Sequence, residues 1–581
     1  MTIATRCLGL ILATFLPMTA QGQFKLTSEQ QNWVDKTLSR MTLEERVGQV
    51  LFAVSPAAFM NLQGDEFQKI NANIQSYHVG GYHIEGGDPA TAYLLISRMQ
   101  DAAKVPLLIT ADLEGGGGFQ FTGATRFPRA MAIGATGNTQ YAYEAGNLCA
   151  REGKAIGIGV NFYPVVDVNN NPQNPIINIR SFGEDPSAVG KFGQAYIKGT
   201  EDAGIIATAK HFPGHGDTSV DSHLELPIVN FDRSRLGAIE LPPFKAAIEG
   251  GVGAVMTAHI ELPQLEETPG LPASLSPAIT TGLLRKELGF QGLIFTDALP
   301  MHAITENFGA EQAVILAIKA GADVALEPLD VPKAFAALLS AVQKGEISED
   351  RLNESVRRIL TAKAWLGLNA RRVEPFNQID TAVGSPAAEQ KSREIIEHAM
   401  TLVKDDKKSL PLKLRDDEDV LLVNFVDAGD RENAPNAGLT FRQEFEKRHA
   451  RTLFAIVTPT TPGPEAGLIR RIAANYRFVV VSCSIRIASY KGAIGLNEIQ
   501  EGLLRDLAKH NGPFVFALFG SPYLLDYVPE LPSYILAYEF YPDAEAAMVR
   551  AIFGEIPFQG RLPITVGKFP VGFHLEQTKL P

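Results

Sequence analysis

GIIATAKHF, residues 204–212, is an apolar run that closes on an ammonium and an imidazole, Lys210 and His211, before the chain breaks at Pro213 and Gly214. A short apolar run bounded by turn residues reads as a strand buried on both faces. Seven further runs of the same kind surround it: VGQVLFAV (47–54), VGGYHIEG (79–86), VPLLITAD (105–112), GIGVNFYPVVDV (157–168), GAVMTAH (253–259), GLIFTDA (292–298) and DVALEP (323–328). Longer helical patterns separate them. Strands alternating with helices imply parallel pairing, and eight such units close a barrel. The expected fold class is therefore α/β, a (β/α)8 TIM-like barrel over residues 23–370.

A second alternating series follows, with runs DVLLVNFV (419–426), TLFAIVT (452–458), FVVVSCSI (478–485), PFVFALFG (513–520) and SYILAYEF (533–540). It predicts a smaller α/β sandwich domain over residues 396–581, with helices on both faces of an open sheet. Residues 371–395, rich in turn formers, read as a linker over the surface. The second series has no GxGxxG or Walker motif at its strand ends and no GxSxG nucleophile elbow, which argues against a nucleotide site or a serine hydrolase.

The composition of the 581-residue chain is that of a globular protein, 45% hydrophobic and 20% charged, with a formal charge of −12. An acidic chain without a basic block is a poor partner for nucleic acid or an anionic membrane. Arg6, the apolar stretch Leu8–Leu16 and the small residues Ala20-x-Gly22 have the layout of a secretory signal peptide over residues 1–22. That stretch is too short to serve as a stable anchor. The expectation is export across the inner membrane, to the periplasm, without stable membrane insertion. Cys149 and Cys483 form neither a CxxC motif nor a disulfide framework and read as buried thiols.

Polar residues recur at the ends of the barrel runs: Asp112, Asp167, Lys210, His211, His259 and Asp297. The C-terminal strand ends of such barrels carry the active site, so chemistry is expected there. An acid such as Asp297, closing an apolar run, is either a structural carboxylate bonded to backbone amides or a nucleophile presented to the barrel mouth. A carboxylate can attack an anomeric carbon and form a glycosyl ester if a partner protonates the departing oxygen. Asp221-Ser222-His223 offers that partner, because residues i and i+2 of an extended segment share a face. An Asp held against one ring nitrogen fixes the tautomer and leaves the other nitrogen to exchange a proton. The same loop also admits a metal reading through His211 and His215, but Pro213 and Gly214 break the helix that would align them and no HExxH occurs.

The stretches ADLEGG, NIRSFGEDP, AKHFPGHGDTSVDSHLELP, AVMTAHI, PASLSP and GLIFTDALPM, in this order over roughly residues 40–370, resemble family 3 of the glycoside hydrolases, in its β-N-acetylglucosaminidase branch. The second unit, ending FGEIPFQGRLPITV, is similar to the C-terminal sandwich of two-domain members, with weaker signatures. The resemblance implies that Asp297 is the nucleophile and that Asp221 and His223 form an acid/base pair on a mobile loop. It implies that Asp112, Arg180, Lys210 and His211 bind sugar hydroxyls, and that no metal or organic cofactor takes part. His215 is left to shape the loop, with Gly214 and Gly216 letting it swing. Relatives often carry Arg soon after DxEGG, where this chain has Gly117, Gly118 and Phe119, so one ligand contact differs.

The expected partner is a small carbohydrate, a GlcNAc-containing oligosaccharide or muropeptide. The expected activity is that of a retaining exo-β-N-acetylglucosaminidase, with peptidoglycan-derived fragments as the source of substrate. Alternatives are a β-N-acetylglucosaminide phosphorylase, a β-glucosidase or β-xylosidase, and a non-catalytic muropeptide-binding protein.

Overall fold

The computed structural model describes residues 24–427, 436–487, 491 and 495–576. The signal-peptide reading of residues 1–22 falls outside these described residues. Eight parallel strands form the first sheet: β1 (Leu51–Pro56), β2 (Gly81–Glu85), β3 (Leu108–Ala111), β4 (Val160–Asn161), β5 (Ile206–Phe212), β6 (Ala254–Thr257), β7 (Leu293–Thr296) and β8 (Ala325–Leu326). Their spatial order is β7-β6-β5-β4-β3-β2-β1-β8. A parallel bridge between Phe295 and Val324 joins the two ends, so the sheet closes into the expected barrel.

Aromatic rings fill the barrel, as its narrow interior requires. Phe295 meets Phe52 edge-on at 5.7 Å and Phe162 at 5.1 Å, and His83 stacks on Phe162 at 5.3 Å.

The second sheet has six strands, β9 (Thr401–Asp405), β10 (Val420–Val426), β11 (Thr452–Val457), β12 (Phe478–Ile485), β13 (Phe514–Gly520) and β14 (Ser533–Leu536), in the order β11-β10-β12-β13-β14-β9. All pairs are parallel except β9 with β14. The sequence reading has no counterpart to β9, whose five residues TLVKD alternate too briefly to stand out.

The stretch expected as a linker also differs. Residues 371–395 run as a connection only at first and then enter a helix, Pro386–Ala399, with Ser385 capping it at Ala388. Its Ser392 and Glu394 bond Arg126 and Tyr141 of the barrel unit, so it is a bracket rather than a tether.

The second domain packs on the barrel's loops through buried polar contacts. Asn169 donates to the Tyr523 hydroxyl at 2.6 Å, Asn178 to Ser521 at 3.1 Å, and the Arg129 amide to Glu539 at 3.1 Å. Cys149 and Cys483 are buried free thiols, and among the described residues no helix is long and apolar enough to cross a membrane.

Candidate active site

A cavity of about 500 Å³ opens at the C-terminal ends of the barrel strands. Asp112, Arg180, Lys210, His211, His223 and Asp297 all line it, and Asp221 sits buried behind His223. The residues to which the resemblance gives a role are thus brought to one place, while the strand-end residues Asp167 and His259 stand behind the lining. Arg486 and Ile487, just beyond β12 of the second domain, complete the wall.

Lys210 and His211 reach the cavity because β5 shifts register against β6 between Ala209 and Phe212. Such an irregularity re-aims side chains that a regular strand would alternate. Lys210 Nζ lies 2.6 Å from Asp112 Oδ1 and 3.7 Å from Glu114 Oε2. Arg180, in the turn Asn178–Arg180, grips Glu114 with two parallel bonds of 2.7 and 3.1 Å. Burial pushes the Glu114 carboxyl up, but Arg180 and Lys210 overcome it and hold the group at about 2. Two cations and two acids therefore form a lattice of charged donors and acceptors, the equipment for bidentate recognition of hydroxyl-rich ligands.

Asp167 fixes His211. Its carboxylate accepts from the His211 ring Nδ1 at 2.7 Å, from the His211 amide, and from the His215 amide at 2.7 Å. Burial and the adjacent Arg180 push the His211 ring well below the usual imidazole value, against the pull of Asp297. With Nδ1 bonded to Asp167, the ring's Nε2 lies 3.5 Å from Arg180 Nη2.

His215 takes no such part. Its two ring nitrogens meet the hydroxyls of Thr218 at 2.9 Å and Ser222 at 3.0 Å, which ties the loop to itself. These contacts occupy the ring atoms that a metal reading of His211 and His215 would need. Gly216 also has a different role from the expected hinge. A Cβ there would lie 1.8 Å from the Val168 carbonyl oxygen, so glycine permits a close backbone approach. Gly214 does have positive φ, at 136°.

His223 donates from Nδ1 to Asp221 Oδ1 at 2.7 Å, and the same oxygen accepts from the His223 amide at 2.9 Å. The acid is fully buried, while the imidazole is 22% exposed. With Nδ1 engaged, Nε2 is the nitrogen able to exchange a proton with a ligand.

Asp297 follows β7, its Oδ1 accepting the Ala298 amide at 2.9 Å. Burial alone would raise this carboxyl, yet His211, His259, His223 and the Ala298 amide bring it down to about 2. It is ionised at any neutral pH, as a nucleophile must be. His259, 2.7 Å from Ser274 and 3.0 Å from the Ala298 carbonyl, braces the turn that carries it.

Sequence reasoning passed over several residues of this site. Glu114 stands two positions after Asp112 on the same face of an extended segment, a signal that was available. Asp167 was visible as a polar strand end without an assigned task. His83, Glu85 and Glu327 bring one possible ligand atom each within 4.8 Å of one another, with His83 Nε2 3.7 Å from Asp112, and no spacing rule unites them.

Comparison with known proteins agrees with the geometry. The chain is 30% identical over 567 residues, 93% of its length and 97% of the relative's, to a β-N-acetylglucosaminidase/β-glucosidase of Cellulomonas fimi. A solved β-N-acetylglucosaminidase of glycoside hydrolase family 3 from Paenibacillus sp. str. FPU-7 superposes with a TM-score of 0.79 at 33% identity, covering 91% of this chain and 99% of that one. A β-glucoside phosphorylase solved with 2FGlc superposes with a TM-score of 0.84 at 27% identity, covering 94% and 98%. Residues 42–362 match the N-terminal domain of glycosyl hydrolase family 3, and the chain belongs to that family.

Proposed function

We propose that this glycoside hydrolase is a retaining, exo-acting β-N-acetylglucosaminidase that removes terminal β-linked GlcNAc by double displacement. The observation that carries the reading is the pairing, in one cavity, of an ionised carboxylate, Asp297, with an imidazole braced by a buried acid, His223 on Asp221. The Asp297 carboxylate attacks C1 while His223 gives its Nε2 proton to the glycosidic oxygen, which leaves with the bonding pair. The glycosyl ester formed on Asp297 is then opened by water, whose proton returns to His223. Retaining enzymes with two carboxylates hold them ~5–5.5 Å apart, and an imidazole on a loop works over a longer reach. Lys210, Arg180, His211 and Asp112 orient the sugar through its hydroxyls. The name of the Cellulomonas fimi relative supports the aminosugar preference, and the N-terminal pattern of residues 1–22 supports export to the periplasm, where wall-derived fragments supply terminal GlcNAc.

The test is release of nitrophenol from the aryl β-GlcNAc. Asp297→Ala and His223→Ala each abolish it on this mechanism, the second by the ~10²–10⁴-fold that a positioned proton donor provides. Full activity in either variant rejects the mechanism. A second reading, phosphorolysis, is favoured by the imidazole itself, which does not repel a phosphate dianion as a carboxylate base would. Sugar 1-phosphate in the products identifies it.

A further inference from the structure

Strand β2 carries an imidazole and a carboxylate on one face, His83 and Glu85, two residues apart. Barrel closure sets Glu327, which follows β8, beside them, with only β1 between the two strands. One ligand atom from each of the three lies within 4.8 Å of the others. His83 is the fixed member. Its side chain is 3% exposed, its ring stacks on Phe162, and Nδ1 lies 3.0 Å from the Thr110 hydroxyl. Nε2 opens on the cavity, and the acids it faces, Asp112 at 3.7 Å and Glu327 at 4.0 Å, stand beyond hydrogen-bond distance. A buried ring whose second nitrogen reaches a cavity without a protein partner points to a ligand.

The surrounding charges say which kind. Among the described residues Glu327 forms no ion pair with a lysine or arginine, and the charges that act on it most are Glu85, Asp112 and Asp297. The nearby Lys210 gives its ammonium to Asp112 and reaches Glu114 instead. An imidazole nitrogen with two carboxylates suits a cation of the zinc class, whereas calcium and magnesium favour oxygen donors alone. Zinc bonds of ~2.0–2.2 Å set ligand atoms ~3.4 Å apart in a tetrahedron, so the glutamates must close in by about an ångström. Glu85 is exposed and Glu327 partly so, which leaves both chains free to do it. With the Nδ1 proton given to Thr110, the Nε2 lone pair is left for the metal, the arrangement common to metal-binding histidines.

We propose that His83, Glu85 and Glu327 bind one divalent transition-metal cation of the zinc class, and that the bound cation closes the sugar site at Asp112. The cation is an inhibitor and takes no part in the chemistry at Asp297. Held beside Asp112, it draws on the carboxylate that Lys210 and a sugar hydroxyl otherwise share. The inhibition rests on the glycosidase reading of the cavity, and the binding does not.

The experiment titrates Zn²⁺ by calorimetry into the full, tag-free chain after chelation, for the wild type and four variants. Glu85→Gln, Glu327→Gln and His83→Gln each remove one ligand. His223→Gln removes the imidazole that could hold zinc together with Asp297 instead. The wild type should bind one Zn²⁺. Each ligand variant should bind it more weakly by at least the ~10–100-fold that the loss of a supporting contact costs a metal site, and His223→Gln should bind it as the wild type does. Zn²⁺ should also lower wild-type kcat/KM on the aryl β-GlcNAc, and a chelator should restore it. Ca²⁺ and Mg²⁺ at the same concentration should leave the rate unchanged. Glu85→Gln alters an exposed side chain that the fold does not need, and against its own zinc-free rate the half-inhibiting concentration should rise at least about tenfold. No saturable binding, or a ligand variant that binds as tightly as the wild type, overturns the site. Loss of binding in His223→Gln assigns the metal to Asp297 and overturns it equally. Binding without inhibition overturns the closure of the sugar site. If no GlcNAc is released under any condition the glycosidase reading fails, while the calorimetry still decides the metal.

Discussion

Two walls of one cavity hold carboxylates in opposite states. On the wall built by β3, β5 and β7, Asp297 and Glu114 are held down at about 2. On the wall built by β2 and β8, Glu327 is pushed up to about 8. Glu114 is buried and Asp297 and Glu327 are half-buried, and loss of water raises every one of them. Their neighbours make the difference. Asp297 faces three imidazoles, and Glu114 faces Arg180 and Lys210, whereas Glu327 faces Glu85, Asp112 and Asp297. Opposite charges keep a buried acid ionised, and like charges keep it protonated. One wall therefore offers ionised carboxylates, the proposed nucleophile Asp297 among them. The other offers a neutral carboxylic acid beside a neutral imidazole, His83, which burial also holds below its ordinary value.

The sharpest way to break this contrast is to remove a cation that holds the ionised wall. Lys210 is 4% exposed in its side chain and touches Asp112 on one side and Glu114 on the other. Lys210→Met keeps the length and volume and leaves two acids short of a cation. Breaking a buried ion pair from one side costs ~3–5 kcal/mol, so the denaturation midpoint should fall steeply. Loss of the charged contact to substrate should lower kcat/KM by a further ~10–10²-fold. Near-normal values of both would mean that the acids do not depend on Lys210 and that the contrast has another cause.

A smaller effect is expected at Asp167, which serves the ionised wall indirectly. Asp167→Asn keeps the shape but exchanges a carboxylate that accepts from one ring nitrogen and two amides for a group with a single acceptor oxygen. A loss of ~1–3 kcal/mol in stability follows from the donors left unmade. His211 also loses the partner that fixes its tautomer, so kcat/KM should drop about tenfold, by less than in the Lys210 variant. Equal activity across the pH range would show that the His211 ring is held by packing alone.

The ionised wall was largely legible in the sequence, and the protonated wall was not. Barrel strands buried on both faces leave unbroken apolar runs, and a polar residue that ends such a run stands out. That is how Asp112, Lys210, His211 and Asp297 were found, and how all eight strands were, although β4 and β8 are only two residues long. Asp221 and His223 were found by their spacing. Glu327 and His83 lie in runs that were recognised as strands, yet their meeting depends on barrel closure, which joins β8 to β1 and places β2 beyond it. Strand β9 and the helix Pro386–Ala399 went unseen for a related reason. The strand exists by pairing with β14, 128 residues or more further on, and the helix follows turn formers that suggest a loose connection.

The mildest perturbation tests the protonated wall directly. Glu327→Gln reproduces the neutral side chain and removes only its ability to ionise. A carboxyl whose folded-state value lies above its ordinary 4.5, here at about 8, favours the folded state fully below 4.5, and that advantage is lost as pH rises through about 8. Asp297 has the opposite sign, with a value of about 2 against an ordinary 3.8, and its contribution is present above 3.8 and lost as pH falls toward 2. The two windows do not overlap, so a melting series at constant ionic strength separates them. Between pH 6 and pH 9 the wild type should lose more melting temperature than Glu327→Gln, by roughly 2–4 °C for each kcal/mol of lost linkage. Between pH 4 and pH 2 the two proteins should fall in parallel, because Asp297 is common to both. Parallel curves on the alkaline side would place Glu327 among the ionised acids and end the distinction between the walls.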